Sequence, residues 1–218
     1  MSKSWLFVVL MFCSFAVACS PAAKEAPASP TPSPKPEAAK PAVSPDEEIA
    51  VFDTSYGRFK MRFFEDLAPK HVAHFKKLVK EGFYDGLAFH RAIPKGIIQG
   101  GDPTTRGNDR SQWGAGLPGQ PTVPAEFSQR PFVRGIVGAA RRGNDINSAT
   151  SQFFICLDDR PEWNGEYTVF GEVYRGITTV EIISNVPTEE GNGQKMREKV
   201  VIYRVHLEKA GDSRRTAQ

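Results

Sequence analysis

The chain has 218 residues, room for one domain with appendages, and its 40% hydrophobic and 24% charged residues exclude a wholly disordered or collagen-like polypeptide. Lys and Arg number 28 against 25 for Asp and Glu, and a net charge of +3 is too small and too evenly spread to suggest nucleic acid as a partner.

Residues 1–18 read as a secretory signal peptide. Lys3 gives a positive start, Trp5 to Ala18 is an apolar run, and small residues close it. The run has 14 residues, fewer than the roughly 20 that a membrane-spanning helix needs. Ala16-Val17-Ala18 before Cys19 resembles the lipobox of bacterial lipoproteins, with Ala16 where Leu is usual. That resemblance implies a lipid on Cys19 and a place on the periplasmic side of a bacterial membrane, Ser20 favouring the outer one. Cleavage after Ala18 with a free Cys19, or a retained anchor helix, are the alternatives.

Residues 19–46 form a tether. Eight prolines (Pro21, Pro27, Pro30, Pro32, Pro34, Pro36, Pro41 and Pro45) stand among Ala, Ser, Lys and Glu, with no aromatic residue. Such a segment cannot bury enough apolar surface to offset its ordering entropy. It is an extended spacer that reaches up to roughly 80 Å. Cys156, within the apolar run Phe153 to Leu157, is the one cysteine expected inside the folded domain, so no disulfide is predicted there.

The folded domain is predicted over 47–210, with a polar tail at 211–218. Ile49 to Phe52 is an apolar run, Ser55-Tyr56-Gly57 a turn, and Phe59, Met61 and Phe63 then alternate with Arg58, Lys60 and Arg62, a period of two that marks a half-buried strand. After Asp66 and Pro69, Val72, Phe75, Leu78 and Val79 recur at helical spacing, with Gly82 as the stop. Short β-rich runs follow at 135–138, 151–157 and 168–173. A second helix is predicted from Ile177 to Asn185, with Val180 and Ile183 inward. Val201, Tyr203, Val205 and Leu207 then alternate with Ile202, Arg204, His206 and Glu208. A mostly β fold results, best satisfied by a closed barrel whose ends are plugged by two helices, since closure removes exposed edges.

Most candidate chemistries fail on context. Gly114-Ala115-Gly116-Leu117-Pro118-Gly119 matches the dinucleotide pattern, but no strand precedes it and prolines follow instead of a helix. His71 and His74, one turn apart on the first helix, lack a third ligand at metal spacing and read as solvated residues. Ser151, His90 and Asp102 could form a hydrolytic triad, but there is no nucleophile elbow. Asp102 reads as a loop cap.

Three dense segments remain: Phe89 to Asp102 (FHRAIPKGIIQGGD), Asn147 to Ile155 (NSATSQFFI) and Tyr167 to Gly171 (YTVFG). In the first, Arg91 and Gln99 can bind a carbonyl or amide and sit among apolar residues. The ordered elements F-H-R-x-I-P, Q-G-G-D and S-Q-F-F-I resemble the cyclophilins, the peptidyl-prolyl cis-trans isomerases, from about Glu48 to Leu207. The resemblance implies an eight-stranded antiparallel barrel with two capping helices and a groove on its outer surface. It also implies a catalytic role for Arg91 and a proline pocket of Phe154 and Ile97 with Trp163. Gln99 would hold Arg91. Ala140, Arg141 and Gln152 would bind the peptide, and His90 and Tyr167 would border the groove.

No cofactor or metal is expected. The partners implied are proline-containing polypeptides and a membrane reached through the lipid, with the protein a monomer. The pattern departs at Gly96, where Phe is usual, and at Ala139, where Met is usual, and both changes are expected to shrink the pocket. They motivate the rival reading of a non-catalytic peptide-binding chaperone module. A hollow ligand barrel of lipocalin type is a third possibility.

Overall fold

The computed structural model describes residues 43–189 and 194–212. The expected signal peptide, Cys19, the expected tether up to residue 42 and the expected tail from 213 lie outside the described residues. Within them run eight strands: β1 (Glu48–Thr54), β2 (Gly57–Phe63), β3 (Ala88–Ile93), β4 (Ile97–Gly100), β5 (Ile136–Ala139), β6 (Phe153–Cys156), β7 (Val169–Arg175) and β8 (Lys195–Lys209). Helix α1 (Pro69–Lys80) lies between β2 and β3, and α2 (Ile177–Ser184) between β7 and β8. Every pairing is antiparallel, and the order β1-β2-β7-β5-β6-β4-β3-β8 closes on itself.

The period-two residues Phe59, Met61 and Phe63 of β2 point inward as expected. The interior is a cluster of rings. Phe52 stacks on Phe59 with centroids 4.5 Å apart, and Phe75 of α1 reaches Tyr84 at 4.8 Å and the edge of Phe153 at 5.9 Å. Val72 and Val79 of α1 and Val180 and Ile183 of α2 complete the packing. A barrel of this size is filled by its own side chains, which sets aside the hollow ligand barrel.

Two expectations are corrected. The alternation in β8 does not hold through its length: Val200, Ile202 and Val205 are buried, whereas Tyr203 is 62% exposed. Asp53 of β1 pairs with Arg204 but Thr54 pairs with Ile202, so Tyr203 is the extra residue of a bulge, and the inward face changes parity there. His71 is buried, not solvated, and His74 is half-buried. The Glu126 carboxylate accepts from the Lys70 and His71 backbone N–H groups at 3.0 Å each and lies 2.7 Å from His71 Nδ1. Helix α1 has no side-chain cap of its own and begins at Pro69, so a distant carboxylate satisfies its orphan donors.

Candidate active site

Strands β3 and β4 form a hairpin in which Arg91 pairs with Gln99, Ala92 with Ile98 and Ile93 with Ile97. β4 pairs with β6 so that Gln99 faces Phe154 and Ile97 faces Cys156, and β6 pairs with β5 so that Phe154 faces Gly138. Alternation sends Ile98, Phe153 and Val137 into the barrel and leaves Ile97, Phe154 and Ile136 in a separate outer cluster. Arg91, Gln99 and Phe154 thus share the outer surface across adjacent strands.

A hollow of about 110 Å³ opens there, lined by Arg91, Ile97, Gln99, Ala140, Arg141, Phe154, Trp163 and Tyr167. Its wall is aromatic. Trp163 meets Phe154 edge-on at 5.2 Å, Tyr167 does so at 5.4 Å, and Phe132 stacks behind Phe154 at 5.7 Å. Trp163 stands on a short helical turn, Pro161–Trp163, with the Arg160 guanidinium 5.6 Å above its ring. Arg141 lies 4.7 Å over Tyr167. A second hollow of about 160 Å³ adjoins the first and shares Gln99, Ala140 and Arg141. Gln152 lines this second hollow, beside Gly114, Ala115 and Arg142.

Arg91 is half-buried and held by neutral acceptors. Its Nη1 donates to Gln99 Oε1 at 3.3 Å, and its Nε and Nη2 donate to Gln194 Oε1 at 3.2 and 2.9 Å. Gln99 Nε2 donates in turn to Gln152 Oε1 at 3.1 Å, and Gln152 Nε2 to the Gly114 carbonyl at 3.3 Å. Burial pulls the Arg91 pKa down from its usual value while Tyr167 pushes it up. A guanidinium remains a cation at neutral pH.

Several expectations need correction. His90 does not border the groove. It is 3% exposed, packed beneath the loop that carries Gly114. Burial brings its pKa down to about 4 against the opposing pull of Asp102, so it is neutral at pH 7 and adds no second cation to the site. Ala139 faces the barrel interior, not the hollow, so its small size leaves the pocket unchanged. Gly96 leaves no gap either, because a Cβ there would stand 2.8 Å from Arg160 Nη2 and 2.9 Å from Ile93 Cγ2. The N–H of Ala140 donates to the Gln152 carbonyl at 3.0 Å and is not open to a peptide.

Other readings stand on geometry. Asp102 is fully buried and accepts from the N–H groups of Thr104, Gly114 and Gly116 at 2.9, 2.6 and 3.1 Å, which makes it a loop clamp. The Cys156 thiol is buried and pushed up to about 12, so it is unreactive. Phe132, Gly138 and Gln194 were not singled out from sequence. Gly138 has a steric reason: a Cβ there would fall 2.4 Å from Phe154 Cζ, so only glycine lets the Phe154 ring lie over β5.

Residues 49–207 match the family model for cyclophilin type peptidyl-prolyl cis-trans isomerases. A probable peptidyl-prolyl cis-trans isomerase of Brucella abortus is 45% identical over 159 residues, 71% of this chain and 81% of that protein. A peptidyl-prolyl cis-trans isomerase of Synechococcus elongatus is 40% identical over 56% of this chain and 78% of its own length. A cyclophilin type isomerase of Cryptosporidium parvum, crystallised in the presence of the dipeptide Ala-Pro, superposes with a TM-score of 0.65 at 30% identity, covering 73% of this chain and 98% of that one. A cyclophilin from Hirschia baltica shares the fold with a TM-score of 0.60 at 21% identity over 75% of this chain and 74% of that one.

Proposed function

The chain belongs to the cyclophilins and is a peptidyl-prolyl cis-trans isomerase, and from that premise we propose that Arg91 and the aromatic hollow beside it turn X–Pro bonds in client polypeptides of a bacterial cell envelope. The observation that carries this reading is a cation on the rim of an apolar hollow with donors to spare. A guanidinium has five N–H donors. Among the described residues three are taken by Gln99 and Gln194, which leaves two for a substrate.

An X–Pro bond rotates against amide resonance, a barrier of about 18–20 kcal/mol. In the twisted state the prolyl nitrogen regains its lone pair. An Arg91 N–H donated to that lone pair stabilises the twisted amide more than either planar one, which is the requirement for catalysis. Ile97, Phe154, Trp163 and Tyr167 grip the proline ring while the preceding residue swings. Half-burial strengthens the Arg91 contact by keeping water from it. Gln99 and Gln152, bonded to each other, hold Arg91 on one side. The second hollow accepts the continuing peptide. No bond is made or broken, so an inert Cys156 and a neutral His90 cost the reaction nothing. The Ala-Pro dipeptide present with the Cryptosporidium isomerase supports proline-containing polypeptides as the ligand class.

The envelope setting rests on the leader and on Ala-Val-Ala-Cys19, followed by the proline-rich tether that would let a lipid-anchored domain reach clients. The experiment has two parts. Titration of a short Ala-Pro-containing peptide should shift the amide resonances of Gln99, Phe154 and Trp163 and leave those of α2 in place; shifts confined to other surfaces would refute the binding site. Mass spectrometry of the mature N-terminus should find Cys19 carrying lipid, and an unmodified Cys19 would remove the anchor.

A further inference from the structure

We infer that Gln194 is a positioning residue that fixes the guanidinium of Arg91, an inference that rests on the catalytic reading of Arg91. Gln194 lies far from Arg91 in sequence, immediately before β8. β3 and β8 pair with Arg91 opposite Lys195, which brings the start of β8 alongside the hollow. The Gln194 backbone carbonyl accepts from the Ala92 N–H at 3.0 Å, so the residue is tied to the strand that carries Arg91. Its side-chain oxygen then takes both Nε and Nη2 of Arg91, at 3.2 and 2.9 Å. These two donors share one edge of the planar guanidinium, so a single acceptor there fixes the plane of the fork as well as its position. Gln99 fixes the other edge at Nη1, at 3.3 Å.

The acceptor is an amide, which leaves the cation its full charge. A carboxylate in the same place would form an ion pair and spend that charge away from the prolyl nitrogen. The backbone of Gln194 has a φ of 67°, a left-handed conformation that a non-glycine residue adopts at a cost. Glycine would be at ease there, so the side chain is kept against local conformational preference. Among the described residues, the Gln194 side-chain oxygen has no donors other than those of Arg91.

That strain supplies a test in which positioning and folding give opposite signs. In Gln194→Gly the backbone relaxes and the clamp is lost. We expect kcat for an X–Pro peptide, followed by isomer-exchange NMR, to fall about tenfold with KM within about twofold of wild type, since the guanidinium is misplaced while the ring pocket is intact. The thermal midpoint should not fall. In Gln194→Glu the carboxylate still holds both donors, but kcat should stay below wild type because the charge is spent. In an Arg91→Ala background, Gln194→Gly should cause no further loss. The inference is overturned by an unchanged kcat in Gln194→Gly, by a loss of rate that comes with a lowered midpoint, or by an equal loss in the Arg91→Ala background. If Arg91→Ala itself keeps the wild-type rate, the catalytic reading of Arg91 fails and takes the clamp with it.

Discussion

The barrel interior and the outer hollow are built from the same strands and differ in what closes them. In β6, Phe153 faces inward and Phe154 outward; in β4, Ile98 and Ile97 divide the same way; in β5, Val137 and Ile136; in β7, Phe170 and Val169. Inside, every ring meets another ring or an aliphatic chain, with α1 and α2 adding residues to the cluster. Outside, one side of the aromatic cluster is left uncovered by the described residues, and there stand Arg91, Gln99 and Arg141. Single-residue alternation thus makes a stability core and a binding surface back to back, and adjacent residues of one strand should respond to mutation in different currencies.

The largest expected effect separates Phe153 from Phe154. Phe153→Ala empties the centre of the ring cluster and should cost about 3–5 kcal/mol, read as a denaturant midpoint at unchanged slope. Phe154→Ala should lose less stability and more kcat/KM. The reverse ranking would contradict the division of labour.

Next comes acid. The unfolded chain protonates His90 near pH 6.5, whereas the folded chain resists until about pH 4 because the imidazole is buried. Between those values the unfolded state binds more protons. The contribution of His90 is therefore complete above about pH 6.5 and is lost as pH falls toward 4, on the order of 3 kcal/mol. His71, buried and also shifted downward, adds in the same direction. The urea midpoint should fall across this window, and less steeply in His90→Gln. Parallel profiles for the two proteins would show that His90 is not held neutral.

The smallest effect sharpens the boundary between the two regions. Gly138→Ala places a methyl 2.4 Å from Phe154 Cζ, so the ring must turn toward the hollow. About 1–3 kcal/mol of stability should be lost by overpacking. KM should rise, and an unaltered KM would mean that the Phe154 ring does not form the floor of the proline site.

Local pattern made part of this molecule readable. The alternation in β2, the helical spacing of Val72, Phe75 and Val79, and the opposite facing of Phe153 and Phe154 all follow from the period of side chains along a backbone. The closure order of the barrel does not, because β2 pairs with β7 and β3 with β8 across long stretches of chain. The bulge at Tyr203 was hidden for a related reason: a bulge is a property of two strands together. His71 read as solvated and His90 as bordering the groove because what covers them, Glu126 and the loop around Gly114, comes from elsewhere in the sequence. Arg91 and Gln99 stood out as polar residues able to bind a carbonyl or amide in an apolar run, but their roles came only from the resemblance to the family pattern. Gln194, which sits next to no recognisable motif, carried no signal at all.

The most direct measurement is the rate of cis-trans exchange in a short X–Pro peptide with wild type and Arg91→Ala at matched concentration. Loss of the cation should lower kcat/KM by about 100-fold while cooperative unfolding is preserved. A folded Arg91→Ala protein that turns the bond over as fast as wild type would place the catalysis elsewhere than at Arg91.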